Sequence, residues 1–470
     1  MVFASLPFIF FILPLFLVCT FLSKKYVTLR NILLCLVSLF FYVFDGSFHS
    51  LKILLAYGIL NFIFGYILEL SKSLNNGKIK LFTLTLFVTI NVCGLVFYKY
   101  SYWLVSIISD TGLVGQLSIK KQTLPLGISF FTFHAVSYLI DIYRGEISGK
   151  TKVINFLTYF FMFPHLIAGP IVRYKQIKDD VSTVACNSEL FTYGIYRFIL
   201  GVNKKILIAN SVAPLANMAF GYHIDSISPQ DAWIGAIAYM LQIYFDFSAY
   251  SDMAIGLAAM GGFRFTENFN APYVSSSIKE FWRRWHISLS SWLRDYVYIP
   301  LGGSRVKTSR IYFNLVFVFC LCGLWHGANT TFIVWGLYNG LFLVLERVWL
   351  GNKLDKLPKF ITRSYALIVV LIGWVFFRAE NLSQAIDYLQ TMFFITNTSN
   401  NSICNGEILN YLALIAGCAI ALFKLNSFDS SNAKDCKIHK IPLLTNFVLV
   451  IVSITILYFG SQNPFIYFNF

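Results

Sequence analysis

Charge is scarce in this chain: Asp, Glu, Lys and Arg make up 13% of its 470 residues, against 57% hydrophobic and 18% aromatic. A soluble domain carries roughly a quarter charged residues, so that class is excluded. Acidic residues are the scarcer sign, 22 against 37 basic, and the net charge is +15. The basic residues fall between apolar runs, which reads as membrane topology and lipid-headgroup contact, with no nucleic-acid partner. Nine cysteines are scattered singly, most inside apolar runs, with no CxxC pair and no His/Cys ligand spacing. Neither a disulfide framework nor a metal site is expected. No soluble insert, tandem repeat or low-complexity tract interrupts the sequence, so residues 1–470 read as one membrane domain.

Apolar runs are what is present. Crossing a hydrocarbon core of roughly 30 Å takes about 20 helical residues. Runs of that kind recur near 3–22, 31–44 (short), 51–70, 80–100, 124–142, 154–171, 192–220, 232–260, 311–345, 361–377, 408–424 and 441–459. The expected fold is all-α and polytopic, with about eleven spans plus re-entrant or interfacial helices. The first run has no basic start and no small-residue cleavage site, so it reads as a retained helix. Lys24, Lys25 and Arg30 mark the next loop as cytoplasmic, as do Lys72, Lys78 and Lys80, the basic segment 264–310, and Lys424, Lys434, Lys437 and Lys440. By the positive-inside rule both termini then face the outer side of the membrane, which in a bacterial inner membrane is the periplasm.

Polar groups in hydrocarbon are costly and usually face a partner or a wet path, so four stretches stand out. In CGLWHGANTTFIVWGLYNG, residues 322–340, two GxxxG spacings suit close helix packing. His326 lies mid-run, with Asn329 and Thr330 three and four residues on, on its own helix face. A neutral buried imidazole can take a proton from a hydroxyl or thiol; the plainer alternative is a core histidine satisfied by a neighbouring helix. In KEFWRRWHISLSSWLRDYVYIPLGGSR, residues 279–305, alternating Trp and Arg describe an interfacial helix with aromatic anchors. His286 falls among Arg283, Arg284 and Arg294, a setting for a phosphorylated cosubstrate or for anionic lipid. In YFDFSAYSDMAIG, 244–256, Asp246 and Asp252 either carry protons or cations or pair with buried arginines, the pairing being favoured. In LPLGISFFTFHAVSYLIDIYRG (124–145) and FPHLIAGPIVR (163–173), Pro and Gly break apolar runs that hold His134 and His165. Such breaks line cavities.

These motifs, in this order over nearly the whole chain, resemble the membrane-bound O-acyltransferase family, in its bacterial branch that O-acetylates alginate and peptidoglycan or D-alanylates teichoic acid. PLGGSR, 300–305, resembles the O-acetylating members more than the D-alanyl ones. The resemblance implies helices around a central tunnel, with His326 as the catalytic residue and His286 as a supporting one. It implies acetyl-CoA as the donor, with no bound cofactor, and a periplasmic SGNH-type transferase partner. Arg283, Arg284 and Arg294 are donor-binding candidates; Asn329, Asp246, His134 and His165 are candidates for the tunnel lining. His134 and His165 depart from the family pattern, in which glutamine is usual.

The chain ends on FIYFNF, 465–470. Its FxYxxF pattern resembles endings in this branch whose tyrosine is proposed to receive the acyl group, which makes Tyr467 a candidate carrier; an aromatic belt at the interface is the alternative. A transporter or flippase of lipid-linked sugar and a non-catalytic scaffold are the competing classes. Transporters often carry paired internal repeats, and none is visible. No GxSxG elbow is visible either, which assigns the final polysaccharide step to another protein.

Overall fold

The computed structural model describes residues 3–73, 76–110, 122–183, 187–221, 227–394, 406–423 and 443–459. Lys424, Lys434, Lys437, Lys440 and the FIYFNF end with Tyr467 lie outside the described residues. Within them every regular element is helical.

A π-turn over Phe8–Ile12 runs into α1 (Leu13–Leu22), and α2 (Val27–Asp45), α3 (Phe48–Ser73) and α4 (Gly77–Asp110) follow as long apolar helices. They present large apolar side chains outward as well as inward: Phe82 is 69% exposed and Phe97 53%. A surface of that kind needs lipid against it. The next elements are short: α5 (Ile128–Arg144), α6 (Val153–Phe161), α7 (Phe163–Leu166) and α8 (Tyr174–Ser182). The interruptions have local causes. Gly127 sits at φ +73, a left-handed conformation open to glycine, and Pro164 opens α7. The run at 154–171 is accordingly two helices rather than one span.

From α9 (Ser188–Asn203) the chain passes through a π-helical segment, Lys204–Asn210, into α10 (Ser211–Gly221). α11 (Pro229–Met260), 32 residues long and buried along most of its length, is the spine against which α7, α9 and α10 pack. Its crossing with α9 is tight, since a Cβ on Gly194 would stand 2.7 Å from the Gly256 carbonyl oxygen. Charges meet at this crossing. Arg197 bonds both Asp252 and Glu267, Lys204 reaches Asp252 at 2.7 Å, and Lys205 reaches Asp246 at 2.6 Å. Asp246 and Asp252 are thus paired as favoured from sequence, although Asp246 has a lysine partner instead of an arginine.

The segment after α11 holds α12 (Ile278–Arg284), α13 (Ile287–Leu293) and a π-turn over Arg294–Tyr298. Trp282, Trp285 and Trp292 are all buried, which corrects their reading as interfacial anchors. They pack inward because later elements supply aromatic faces: Trp285 lies 4.9 Å from Trp374, well beyond it in the chain, and Trp282 5.6 Å from Trp335 of a helical hairpin. That hairpin is α14 (Thr308–His326) and α15 (Thr330–Leu345), so the run at 311–345 is two helices, broken immediately after His326. Gly323 faces the Phe332 carbonyl and Gly336 the Phe319 carbonyl, with no room for a Cβ at either; this is the close packing the GxxxG spacings suggested. α16 (Gly351–Leu354), α17 (Lys359–Arg378), α18 (Leu382–Met392), α19 (Ile408–Leu422) and α20 (Leu443–Phe459) complete the described chain. Seven helices are long and apolar enough to cross a membrane and three shorter apolar ones join them, among the described residues. α11 falls outside that set because Gln242, Tyr244 and Asp246 dilute its apolar character.

Candidate active site

His326 is the last residue of α14. Gly327 then adopts an extended backbone (φ −169, ψ 158), and the helix stops there. A helix end leaves four carbonyls without intrahelical donors, which hydrocarbon cannot satisfy. Here all four have partners. Gly327 N–H closes on Gly323 O, Tyr100 Oη–H donates to Leu324 O, and Lys99 Nζ donates to Trp325 O (2.6 Å) and His326 O (3.0 Å). Ser129 Oγ, 3.4 Å from Nζ, is the third acceptor, and three acceptors match the three N–H groups of an ammonium.

The imidazole of His326 is 5% exposed and stands among rings. Trp335 meets it at 5.2 Å and 90°, Phe377 at 5.0 Å and 76°, and Trp325 at 4.9 Å and 71°. Asn329 does not share a helix face with it: the break at Gly327 makes Asn329 the N-cap of α15, where Oδ1 accepts from Thr331 N–H and Nδ2 donates to Glu380 O. Its expected place beside His326 is therefore corrected.

His286, expected among arginines, is fully buried, with Asn268 and aromatic rings against it. Its backbone is left-handed (φ 43, ψ 54), which costs a non-glycine residue about 1–3 kcal/mol. Its Nδ1 bonds Asn268 Oδ1 at 3.1 Å, and its ring lies 4.6 Å from Phe247 and 6.3 Å from Trp325. Trp325 therefore neighbours both imidazoles.

The arginines divide. Arg283 and Arg294, with Lys279, line a cavity of about 390 Å³, whose walls include Trp282, Leu289, Ser290, Ser291, Val318 and Cys322. Cys322 precedes His326 by four residues on the same face of α14, so this wall lies about 6 Å along the helix from the imidazole's residue. Arg283 has no ion-pair partner among the described residues, while Arg294 donates to Asp295 at 2.7 Å. Burial raises the Asp295 carboxyl, but hydrogen bonds from Arg294 and Arg173 outweigh it and hold it below its usual value. Arg284 is not on the cavity: it pairs with Glu280 at 2.9 Å and donates to Asn270 O at 3.1 Å.

His134 and His165 come together elsewhere, ring to ring at 4.6 Å, with His165 Nε2 2.8 Å from Tyr159 O. The residue before His134, Phe133, is the one that faces the site, stacked on Trp292 at 3.9 Å and Trp325 at 5.2 Å. Asp246 belongs to the α9/α11 crossing. Lys99, Tyr100, Asn268, Trp335 and Phe377 were not singled out from sequence; the only early sign of them is Lys99 as a lone charge in an apolar run.

The profile described as "MBOAT, membrane-bound O-acyltransferase family" matches residues 76–384, which include both histidines and the cavity. The chain belongs to the membrane-bound O-acyltransferase family. It is 38% identical over its full length to a full-length protein of Azotobacter vinelandii named probable alginate O-acetylase AlgI. It is 31% identical to the peptidoglycan O-acetyltransferase of Helicobacter pylori, over 98% of this chain and 96% of that one. The teichoic acid D-alanyltransferase of Bacillus subtilis is 31% identical over 54% of this chain and 67% of its own length. As a member of this family the protein is an O-acyltransferase of the membrane.

Proposed function

We propose that this O-acyltransferase takes acetyl from acetyl-CoA at the cytoplasmic face of the inner membrane and relays it outward, where an SGNH-type partner O-acetylates a surface polysaccharide or peptidoglycan. The observation that carries this reading is the cavity, cationic at Lys279, Arg283 and Arg294 and apolar along Leu289 and Val318, which ends one helical turn from His326. Its volume falls in the range of small-molecule sites. Guanidinium and ammonium groups suit the nucleotide phosphates, and the positive-inside rule puts them on the side where acetyl-CoA is found. Both full-length relatives described above carry O-acetylation of a polymer in their names.

In the transfer, an acceptor hydroxyl attacks the thioester carbonyl carbon while its proton passes to the His326 imidazole. The C–S bond breaks, the new C–O bond remains, and the imidazolium returns the proton to the leaving thiolate. Tyr467 is our candidate for the acceptor that carries acetyl outward; a phenol with an ordinary pKa near 10 needs such a base at neutral pH.

Cells carrying His326→Ala should retain the protein in the membrane and lose base-labile O-acetyl on isolated polysaccharide by about 10²- to 10⁴-fold, the usual span for a general base. Unchanged acetylation would remove His326 from the chemistry. Membranes given radiolabelled acetyl-CoA should hold label on Tyr467; label absent there in an active preparation rejects the carrier step alone.

A further inference from the structure

Asn268 lies in the loop after α11, fully buried, and its side chain meets four groups. Oδ1 accepts from the Ser288 backbone N–H at 3.1 Å and from Ser288 Oγ–H at 2.8 Å, and Nδ2 donates to Ser251 Oγ at 3.0 Å. A backbone N–H can only donate, so the atom it meets must be the amide oxygen, and the orientation of Asn268 is fixed without reference to the histidine. That same oxygen stands 3.1 Å from His286 Nδ1. An oxygen with no hydrogen obliges Nδ1 to donate, so neutral His286 is the Nδ1–H tautomer and its Nε2 is a bare acceptor.

Two further observations make this arrangement more than a satisfied core. Nε2 of His286 is buried with no hydrogen-bond partner, and so is the donor Nε1–H of Trp325, among the described residues. Buried polar groups usually find partners, and of those left open among the described residues these two lie on neighbouring rings, 6.3 Å apart, with Trp325 next to His326 in the chain. One orphan accepts and the other donates, as a bound group with both a hydrogen and a lone pair would require. The left-handed backbone of His286 is held to the same loop by Ile287 N–H bonded to Asn268 O at 2.9 Å and Asn270 N–H bonded to Arg284 O at 2.9 Å.

We propose that Asn268 is a positioning residue, whose side-chain oxygen locks His286 in the Nδ1–H form so that Nε2 meets the substrate as a hydrogen-bond acceptor. This rests on the reading that His286 supports the transfer. The test uses the full chain, with O-acetyl measured on the surface polysaccharide of cells carrying each variant and with histidine 15N spectra of the purified protein. Wild type should show His286 protonated at Nδ1 and bare at Nε2. Asn268→Ala should lose about 10- to 100-fold of acetylation, the scale for removing the partner that orients a working histidine. Asn268→Asp, which keeps the acceptor, should restore most of it, and Asn268→Ala should add no further loss in a His286→Ala background. An Nε2–H tautomer in the wild type, or additive losses, overturns the proposal. Full acetylation in His286→Ala defeats the underlying reading and the proposal with it, whereas a dead His286→Ala beside a fully active Asn268→Ala defeats the proposal alone.

Discussion

Lys99→Met is the substitution that tests most directly what holds the end of the helix carrying His326. It keeps the length and apolar stem of the side chain and removes the donors to Trp325 O and His326 O together with the longer one to Ser129 Oγ. Each carbonyl then loses a charge-assisted bond, and a buried acceptor left unmet costs about 1–3 kcal/mol, so the pair costs about 2–6 kcal/mol. Removing a half-buried ammonium returns part of that, and a net loss of about 2 kcal/mol is expected as a lower unfolding midpoint in detergent. Activity should suffer more than stability. The freed carbonyls belong to His326 and its neighbour, and misplacing a reacting group by 1 Å costs about 100-fold. Acetylation should therefore fall about 10- to 100-fold while the protein remains in the membrane. Lys99→Gln, with two amide N–H donors, should recover part of the loss. Full acetylation in Lys99→Met would refute the claim that these bonds hold His326 in place.

Gly336→Ala puts a methyl group against the Phe319 backbone carbonyl, which cannot swing away as a side chain could; α14 and α15 must part, with a loss of about 1–3 kcal/mol and of acetylation, read by thermal unfolding and O-acetyl content. Wild-type values there would show that the hairpin has slack. Arg283→Ala should raise the acetyl-CoA concentration needed for half-maximal transfer in membranes about tenfold, one charge-assisted contact's worth, and Arg284→Ala should act through stability instead, because its guanidinium is tied to Glu280 and Asn270 O. Equal effects of the two on donor dependence would reject the cavity as the donor site.

Much of this could be read from the chain itself. The membrane class follows from composition, the broken helices from Gly127 and Pro164, and the special status of His326 from its place in an apolar run. The break after His326 was not legible, because Gly327 and Asn329 continue a pattern that a single long helix would also fit; only the Lys99 and Tyr100 contacts to the last carbonyls of α14 reveal where it ends. Those contacts join residues 224 to 227 positions apart, and no local pattern encodes them. The tryptophans of 279–305 were misplaced for a related reason: alternating Trp and Arg tells that a short helix has two faces but not which of them meets protein. Asn268 carries no motif, and its importance exists only in what its oxygen accepts.

The acids buried in α11 bear on the choice between transfer and transport. A transporter must load and unload its ionisable groups, and each release leaves a partner charge behind. Asp252 here is shared by Arg197 and Lys204, and Asp246 is matched by Lys205. Uncovering one member of such a buried pair costs about 3–5 kcal/mol. The glycine contact between Gly194 and Gly256 keeps the two helices too close to rearrange cheaply, since both sides of it are backbone. These charges serve best as a fixed clasp between α9 and α11. The orphaned polar groups at His286 and Trp325 are different in kind, because nothing among the described residues meets them. An acceptor and a donor on neighbouring rings, with Trp325 next to His326 in the chain, can be met together by one bound group, which a fixed ion pair cannot do.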